Sequence, residues 1–506
     1  MQLGFGEFEK TTKLESFSKE ELISKFSILE DEYLRAVREI YRLKYQDLTD
    51  DQLKMVMAEQ LKYFRDEVFG AGSERYKKPE HSKKAPAPAK PSVKRPSERY
   101  PNIPVREVVI AIDPLPGCQA CGKVMSDSGM TEDSEQLNVI AKKYEIIHTK
   151  RKKYRCQCQG CLITAPSPKR IIPGSSYSDE MIQDVSLSKY CDLIPMERYS
   201  AMAARSGVRD LPPQSLIELT HGFADFVLPV VDLIKRDVLM ARVLHADETP
   251  HKMLEGSEKK SWYLWGFSTP EVCYLECHDT RSGDVASDVL MNSKCEVLVT
   301  DVYSGYGKAV RKVNESRLLK RQIPMENSYC NAHARRYFYR GRAAYREAEF
   351  YLDHYHKIYE LNSQAKGQPE KVVLELRAHM APHFEAMRAR AIDEISSYSE
   401  KSKYGKALSY LTSNYDGLTL FLTDAVVPID NNSQERLLRS HVVGRKTWYG
   451  THSERGAKTA AVLFSIVETC KLNQVNPREY FENLVKDLLT GESPYTPSDF
   501  KDFPKS

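Results

Sequence analysis

Three acidic residues, far apart in the sequence, have the types and settings of metal-binding carboxylates. Asp247 follows the aliphatic run Val243–Ala246 and precedes Pro250, which predicts a core strand that ends at the proline and delivers a carboxylate at its exposed end. Asp301 follows a second apolar run, and Glu435 opens a predicted helix. Hard divalent cations prefer oxygen ligands, so these residues are candidate ligands for two Mg²⁺ ions, with Mn²⁺ as the alternative. Two such ions activate an attacking oxygen and stabilise a leaving oxygen, so the pattern predicts phosphoryl transfer.

Each of these three acids has a competing interpretation. Side chains alternate across a strand, so Asp247 and Glu248 face opposite ways, and Glu248 is the alternative first acid. Asp430 is the alternative third acid, although as an N-cap it is occupied by backbone amides. Glu435 comes three residues after Asn432, so the closing residue of a capping box also explains it.

Five of the eleven cysteines lie within positions 118–161, on either side of a predicted strand at 144–148. They form two clusters, Cys118 with Cys121 and then Cys156, Cys158 and Cys161. Closely spaced thiolates from two clusters make a tetrahedral Zn²⁺ site, and a reducing compartment favours metal over disulfides. Symmetry favours Cys118, Cys121, Cys158 and Cys161 as ligands of a structural Zn²⁺, with Cys156 as the alternate ligand.

Basic and aromatic residues cluster beside both groups, which favours contact with a nucleic-acid backbone. The candidate DNA-binding residues are Lys152, Lys153, Arg155, His333, Arg335, Arg336, Arg436, Arg439, Arg445, Lys446 and Trp448. The last three belong to Gly444–Gly450, a predicted loop suited to tracking a DNA strand, although Trp448 is equally explained as a core residue. Cys330 and His333 have a spacing that fits a second metal, but a buried cysteine and a positioned histidine are the commoner explanation.

The elements that must position these residues follow a definite order. After the first acidic strand, Ser261–Phe267 and Val272–Cys277 predict a hairpin. A short helix at 284–290 precedes the second acidic strand, and Asn327–Arg336 predicts a fifth strand that enters a helix. This element order is that of a ribonuclease-H-like sheet: three strands, a helix, a fourth strand, a second helix and a fifth strand. Residues 341–423 are helical and charged in pattern, which predicts an insertion.

Composition bounds the protein class. A chain of 506 residues with 41% apolar residues is long enough for about three or four domains with cores of their own. The net charge of +4 says little about partners. No run of about 18 uncharged apolar residues and no signal-peptide core occurs, so we expect a cytoplasmic, nucleoid-associated protein without a membrane partner.

The N-terminal residues have two different patterns. Leu22 to Leu43 keep a 4-3 apolar spacing, which is typical of an amphipathic helix or a coiled-coil seam. From Glu74 to Arg99 there are nine Lys or Arg residues, three Glu and five Pro, which predicts an extended linker. That linker is either a solvated spacer or an arm that contacts the DNA backbone.

The sequence resembles the transposases of the insertion sequence 66 family along most of its length. The resemblance is carried by His245–Pro250, Asp301 with Gly305–Tyr306, Cys330–Arg336, Ile429–Gly456 and Lys471–Tyr480. It implies a DDE-type transposase with Asp247, Asp301 and Glu435 at the triad positions, and it implies accessory proteins encoded by the same element. Many relatives have fewer cysteines than the stretch Cys156–Cys161, which leaves the Zn²⁺ ligand set open.

We therefore expect a multidomain α/β protein with a ribonuclease-H-like catalytic sheet and a helical insertion, preceded by N-terminal helices and a small zinc-binding module. The expected domains are N-terminal helices in 1–72, a basic linker in 73–104, a zinc-binding module in 105–172, a helical DNA-binding region in 173–240, a catalytic core in 241–340 and 425–470, a helical insertion in 341–424 and a C-terminal segment in 471–506.

The expected function is DNA transposition by two-metal phosphoryl transfer. The enzyme would cleave the element ends and join the freed 3′-hydroxyl to target DNA. Its expected partners are the terminal repeats, the target DNA, further copies of the chain in a homo-oligomer, and accessory proteins from the same element. The alternatives are a ribonuclease-H-like nuclease without strand transfer and a DNA-binding regulator with an idle catalytic site.

Overall fold

The computed structural model describes residues 95–109, 120, 123–124, 133–138, 142–155, 162–254 and 261–503. The chain divides into two compact units, one of residues 75–146 and one of residues 1–74 with 147–506. The expected N-terminal helices and all five candidate zinc cysteines lie outside the described residues, as does most of the basic linker. In the smaller unit, a short helix α1 (Pro96–Arg99) is held by Ser97, whose amide and hydroxyl both donate to the Glu135 carboxylate at 2.9 Å.

The larger unit is an α/β structure. Its strands are β1 (Lys153–Arg155), β2 (Leu162–Thr164), β3 (Val243–Lys252), β4 (Ser261–Ser268), β5 (Cys273–His278), β6 (Val297–Thr300) and β7 (Glu326–Tyr329). Its helices are α2 (Asp179–Tyr190), α3 (Met196–Arg205), α4 (Pro213–Met240), α5 (Gly283–Leu290), α6 (Ser304–Leu319), α7 (Asn331–Gly341), α8 (Ala348–Ala365), α9 (Glu370–Ile395), α10 (Lys403–Ser413), α11 (Tyr415–Thr419), α12 (Asn432–Trp448), α13 (Glu454–Leu472), α14 (Pro477–Thr490) and α15 (Pro497–Lys501). A 3₁₀ turn, Leu420–Thr423, follows α11.

A mixed five-stranded sheet forms the centre of this unit. Its strand order is β5-β4-β3-β6-β7, in which β3, β4 and β5 pair antiparallel, while β6 lies parallel to both β3 and β7. The predicted hairpin is present as β4 and β5. All four residues of β6 are buried, as expected for a strand covered on both faces.

Helices cover the sheet and complete its hydrogen bonding. Helix α13 packs on β5 and on the long helix α4. Its hydroxyl groups accept from the edge strand, Thr469 Oγ1 from the amide of Cys273 at 3.1 Å and Ser465 Oγ from the amide of Leu275 at 2.9 Å. The outer amides of these two β5 residues are thereby satisfied, which keeps this part of the edge from pairing with another chain.

Helices α7 to α11 build a second core rich in aromatic rings. The rings of Phe338 on α7 and Tyr351 on α8 stack at 4.2 Å between centroids, and Tyr404 on α10 packs edge-on against both. The segment that leaves α7 is therefore helical as expected, and it returns to the sheet at Ile429, which belongs to the same cluster.

Strand β3 differs from the sequence-based prediction. It does not end at Pro250 but continues to Lys252, paired along its length with β4. On the other side, its pairing with β6 stops at His245. Between His245 and Lys252 no second strand among the described residues pairs with that side of β3, so a proline without an amide hydrogen is tolerated there. Asp247 and Glu248 therefore lie in the middle of a strand, just beyond the point where β6 leaves it.

The basic stretch before the second cysteine cluster forms a small hairpin. Lys153 pairs with Thr164 and Arg155 with Leu162 in an antiparallel register, and the cysteines of that cluster, which lie between these strands in the sequence, are outside the described residues. The predicted strand at 144–148 is wrong, because those residues have no regular structure and Ile146 is 97% exposed. Among the described residues, no helix combines the length and apolar character needed to cross a membrane.

Candidate catalytic and metal-binding site

Asp247 faces helix α12. The histidines two residues before it and four residues after it both contact that helix: His245 Nδ1 lies 2.8 Å from Asn431 Oδ1, and His251 Nδ1 lies 3.2 Å from His441 Nε2. Since side chains alternate along a strand, Asp247 lies on the same face as these two histidines. The first and third acids thus occupy one side of the sheet.

Glu248 occupies the opposite face. Its Oε2 accepts a hydrogen bond from the Tyr306 hydroxyl at 2.5 Å, and its Oε1 pairs with Arg281 at 2.6 Å. The side chain is only 2% exposed. Both carboxylate oxygens therefore have strong partners on α6 and on the segment before α5, which makes Glu248 a less suitable metal ligand than Asp247.

Asp301 stands beside Asp247 at the ends of the parallel pairing. The parallel register pairs His245 with Val299. Asp247 and Asp301 each come two residues after this pair, so the two acids lie at the same level. Asp301 Oδ1 accepts the amide hydrogen of Tyr303 at 2.9 Å, which orients the carboxylate in the turn after β6.

Glu435 reaches the site through the anchoring of Asn431, the N-cap residue of α12. The Asn431 side chain donates from Nδ2 to the carbonyl of Ala246 at 2.8 Å and accepts from His245. Its amide donates to Cys330 Sγ at 3.1 Å. These three bonds tie the start of α12 to β3 and to the residue after β7, so the first turn of the helix, which holds Glu435, is positioned against both strands.

The alternatives for the third acid are less suited to ligation. Helix α12 has no side-chain capping bond, so Glu435 does not close a capping box with Asn432. Asp430 is occupied, because its Oδ1 accepts from the amide of Asn432 at 3.1 Å and its Oδ2 from the Tyr359 hydroxyl at 3.2 Å.

Neighbouring acids act electrostatically on Asp247. Burial, followed by the charges of Glu248, Asp301 and Glu435, raises the pKa of Asp247 from 3.8 to about 8. Asp301 and Glu435 are therefore close enough to disfavour the charge of Asp247. Such a cluster of like charges in a partly buried site is a favourable setting for a divalent cation, which removes the repulsion.

A thiol and an imidazole border the Glu435 carboxylate. Cys330 Sγ, a ring nitrogen of His333 and a Glu435 oxygen lie within 4.8 Å of one another. His333 Nδ1 is 3.7 Å from Glu435 Oε1, and Arg336 is 4.0 Å from Oε2. Burial is the main cause that lowers the pKa of His333, so the imidazole is neutral at pH 7 and the pair is not an ion pair there.

The candidate DNA-binding residues fall into separate regions. Lys152, Lys153 and Arg155 are exposed on the β1 hairpin. His333, Arg335 and Arg336 are half-buried on the first turns of α7, beside Glu435. Arg436, Arg439 and Lys446 are exposed along α12, and Arg445 is half-buried there. His333 and Arg336 border Glu435, whereas Lys152, Lys153 and Arg155 belong to a separate element.

The predicted loop at 444–450 is wrong over most of its length, because α12 continues to Trp448. A Cβ on Gly444 would lie 2.5 Å from the Trp448 ring, so this glycine lets the tryptophan pack back over its own helix. The ring also meets Tyr190 at 6.3 Å between centroids, and Lys189 Nζ lies 4.6 Å from its centre. The half-buried Trp448 ring thus packs against its own helix and against α2, and its contact with DNA stays a prediction.

Comparison with known proteins identifies the family of this chain. Residues 174–459, which include all three acids, match the family model described as Transposase IS66 family. The chain belongs to the IS66 family of transposases. Membership supports a transposase role, that of an enzyme that processes DNA, and with it DNA binding and the use of divalent metal ions.

Relatives of this IS66-family protein occur in Sinorhizobium fredii (strain NBRC 101917 / NGR234). Uncharacterized protein y4hP is 25% identical over 418 residues, covering 78% of this chain and 74% of that protein. Uncharacterized protein y4qI is 28% identical over 382 residues, covering 71% of this chain and 68% of that protein. The similarity therefore extends well beyond the acidic motifs.

Two residues that position the candidate site of this IS66-family protein were not among the sequence-based predictions. Asn431 lies inside the conspicuous run Ile429–Arg436, and its position between two acids was the available signal. Arg281 carried no such signal, because its proximity to Glu248 depends on how β5 and α5 are joined. It stacks its guanidinium 4.1 Å from the centre of the Tyr303 ring and so links Glu248 to the turn that holds Asp301.

Proposed function

We propose that this protein is a DDE transposase that cleaves the ends of its element and joins the freed 3′-hydroxyl to target DNA. The observation that carries the proposal is the electrostatic effect of Asp301 and Glu435 on Asp247, since the three acids come from a strand, the turn after another strand and a helix that are widely separated in sequence. Burial and the neighbouring acids raise the pKa of Asp247 to about 8. A structural role requires no such crowding of carboxylates, whereas metal-dependent phosphoryl transfer does.

We propose further that the central sheet is ribonuclease-H-like. Three antiparallel strands followed by two parallel ones, in the order β5-β4-β3-β6-β7, support this assignment. The first acid lies in β3, the second directly follows β6, which pairs with β3, and the third comes from a helix that packs on β3. Residues 241–340 and 425–470 would then form the catalytic core, and 341–424 the insertion.

The donor set fits hard divalent cations. Asp247, Asp301 and Glu435 offer only carboxylate oxygens, and Glu435 Oε1 is buried without a hydrogen-bond partner among the described residues. Asp247, Asp301 and Glu435 would hold two Mg²⁺ ions, with Mn²⁺ as the alternative. When bound, such ions lower the pKa of an attacking water or hydroxyl and stabilise the leaving oxygen.

The proposed reaction has two steps. A water oxygen bonds to phosphorus at the element end, and the bond from that phosphorus to the 3′-oxygen breaks. The freed 3′-hydroxyl oxygen then bonds to a phosphorus of the target, and the target's own bond to its 3′-oxygen breaks. Asp247 must release its proton before it can act as a ligand. Arg436 and Arg439, exposed and one turn apart on α12, would hold the DNA backbone beside the acids.

The remaining regions would serve recognition and assembly. We propose that the cysteines of 118–161 hold a structural Zn²⁺ and that the adjacent hairpin residues Lys152, Lys153 and Arg155 contact the phosphate backbone of the terminal repeats. The helices of 173–240 would add to this surface. Homo-oligomerisation and accessory proteins from the same element belong to the same proposal.

The decisive experiment replaces Asp301 by Asn. The full-length protein is incubated with its own terminal repeats, target DNA and Mg²⁺. Loss of the bound ions removes several kcal/mol of transition-state stabilisation, so cleavage and strand transfer should fall on the order of 10³-fold or more. Binding of end DNA should change little.

The matched control is Asp288→Asn, an acid on α5 whose side chain is 75% exposed. It should cleave and join like the wild type. Strand transfer by Asp301→Asn at the wild-type rate would overturn the proposal. Cleaved ends without joined products from the wild-type protein would identify a nuclease instead.

A further inference from the structure

Cys330, His333 and Glu435 form a ligand set of a different chemical character from the three acids. A sulfur, an imidazole nitrogen and a carboxylate oxygen lie within 4.8 Å of one another. Mg²⁺ prefers an all-oxygen shell with several waters, whereas thiolate and imidazole together select softer ions such as Zn²⁺.

The backbone brings these three side chains together without strain. Cys330 is the N-cap residue of α7, and His333 is the third residue of that helix, with its amide bonded to the Cys330 carbonyl at 3.2 Å. Glu435 arrives from α12, whose start is joined to the same corner by the bond from the Asn431 amide to Cys330 Sγ. The amide hydrogen bond favours a thiolate but does not outweigh burial, which raises the pKa of the Cys330 thiol to about 12, so a bound metal ion must displace the thiol proton.

Two polar atoms at the centre of this group lack partners. Among the described residues, neither His333 Nδ1 nor Glu435 Oε1 has a hydrogen-bond partner, although both atoms are buried. They are 3.7 Å apart, too far for a hydrogen bond between them. Nitrogen and oxygen ligands at ~2.0–2.1 Å from a tetrahedral Zn²⁺ are about 3.3 Å apart, so a shift of a few tenths of an ångström would let one ion satisfy both atoms.

We propose that Cys330, His333 and Glu435 bind a thiophilic divalent cation of the Zn²⁺ type, with three protein ligands and the fourth position left to water. Glu435 is then shared between two metal sites. A Zn²⁺ ion on the His333 side removes Glu435 from the Mg²⁺ ligands and inhibits Mg²⁺-dependent cleavage. The inhibition rests on the proposed function, whereas the binding of Zn²⁺ does not.

The binding is tested on the full-length chain with Co²⁺ as the probe. Two quantities are measured: the amount of Co²⁺ bound per chain and the sulfur-to-cobalt charge-transfer absorption. Both measurements also respond to Co²⁺ bound by the cysteines of 118–161. Cys330→Ser and His333→Gln should each bind one Co²⁺ fewer than the wild type. Cys295→Ser is the matched control, because Cys295 is also fully buried but bonds the Val297 carbonyl. It should bind as much Co²⁺ as the wild type.

A second readout guards against variants that fold poorly. Added Zn²⁺ should raise the thermal midpoint of the wild type and of Cys295→Ser more than that of His333→Gln, because the ion binds only the folded site. Equal Co²⁺ stoichiometry in the wild type, Cys330→Ser and His333→Gln would overturn the proposal.

The consequence for activity is measured separately. Micromolar Zn²⁺ should reduce Mg²⁺-dependent cleavage by the wild type at least tenfold, and Cys330→Ser should lose this inhibition relative to its own zinc-free rate. If the protein fails to cleave DNA at all, the proposed function fails while the Co²⁺ measurement still decides the metal site. If cleavage occurs and Zn²⁺ inhibits both proteins equally, the sharing of Glu435 is wrong.

Discussion

His245 Nδ1 lies 2.8 Å from Asn431 Oδ1, a contact that joins the strand of Asp247 to the start of the helix that holds Glu435. Both side chains are buried. The Asn431 Nδ2 donates to the Ala246 carbonyl, so both ends of the amide are bonded to β3. The spacing of the first and third acids is therefore set by one amide side chain and not by the acids themselves, which repel each other.

Replacing Asn431 by Ala should separate positioning from ligation. The acids remain, but the start of α12 loses the two bonds of the Asn431 side chain to β3, one to the Ala246 carbonyl and one to His245 Nδ1. Loss of a residue that orients metal ligands typically costs about 10–100-fold, which is the expected fall in Mg²⁺-dependent cleavage. The Mg²⁺ concentration for half-maximal rate should rise. Asn483→Ala, at an exposed position of α14, is the control, and equal cleavage by the two variants would contradict the role of Asn431.

The raised pKa of Asp247 predicts a pH-dependent stability. The value is 3.8 in the unfolded chain and about 8 in the folded protein, so the folded state holds the proton more tightly. The resulting destabilisation is absent below pH 3.8, grows as pH rises and is complete above about pH 8. Asp247→Asn removes it, so in metal-free buffer the variant should exceed the wild type in thermal midpoint by more at pH 8.5 than at pH 5.5. An equal difference in thermal midpoint at pH 5.5 and pH 8.5 would refute the raised pKa of Asp247.

Glu248 should influence the reaction through Asp247. After burial, its charge is the largest cause of the raised Asp247 pKa. In Glu248→Gln, Asp247 should ionise more easily, so the rise of Mg²⁺-dependent cleavage with pH should move down by on the order of one unit. Asp284→Asn is the control, since this exposed acid pairs with Lys308 on the neighbouring helix. A profile that moves equally in both variants would mean that Glu248 has no specific effect.

Helices α5 and α6 pack too closely for a side chain at Gly283. A Cβ there would lie 2.1 Å from the carbonyl oxygen of Gly305, a backbone atom beside the turn that holds Asp301. Gly283→Ala should therefore cost about 1–3 kcal/mol of unfolding free energy and reduce cleavage. Gly307→Ala on α6 meets only an arginine tip at 3.8 Å and should be neutral or stabilising by about 0.5–1 kcal/mol. Chemical denaturation of both variants checks the pair, and equal stability would show that the helices can move apart.

Local pattern in the sequence was sufficient for many of the elements. The predicted helical region 173–240 contains α2, α3 and α4, and the Ser261 and Cys273 strands form the predicted hairpin. Asp301 follows a buried strand, as the apolar run before it indicated. These features depend on periodicity and turn residues over a few positions, which one stretch of sequence contains in full.

Local sequence pattern gave the wrong end of an element where contact with a residue distant in sequence sets that end. Pro250 predicted the end of a strand, but pairing with β4 carries β3 on to Lys252. Gly444 predicted a loop, but the Trp448 ring packs over it and the helix continues.

The sequence by itself therefore determined the residue types of the site, its acids, its thiol and its histidine, and the order of the strands and helices that carry them. Only the tertiary structure decided which of them meet. Asn431 reaches His245 across 186 residues and Cys330 across 101, and those contacts bring Glu435 beside both Asp247 and His333. Such contacts form because buried polar groups need partners wherever the folded chain supplies them, and no periodicity along the chain records that requirement.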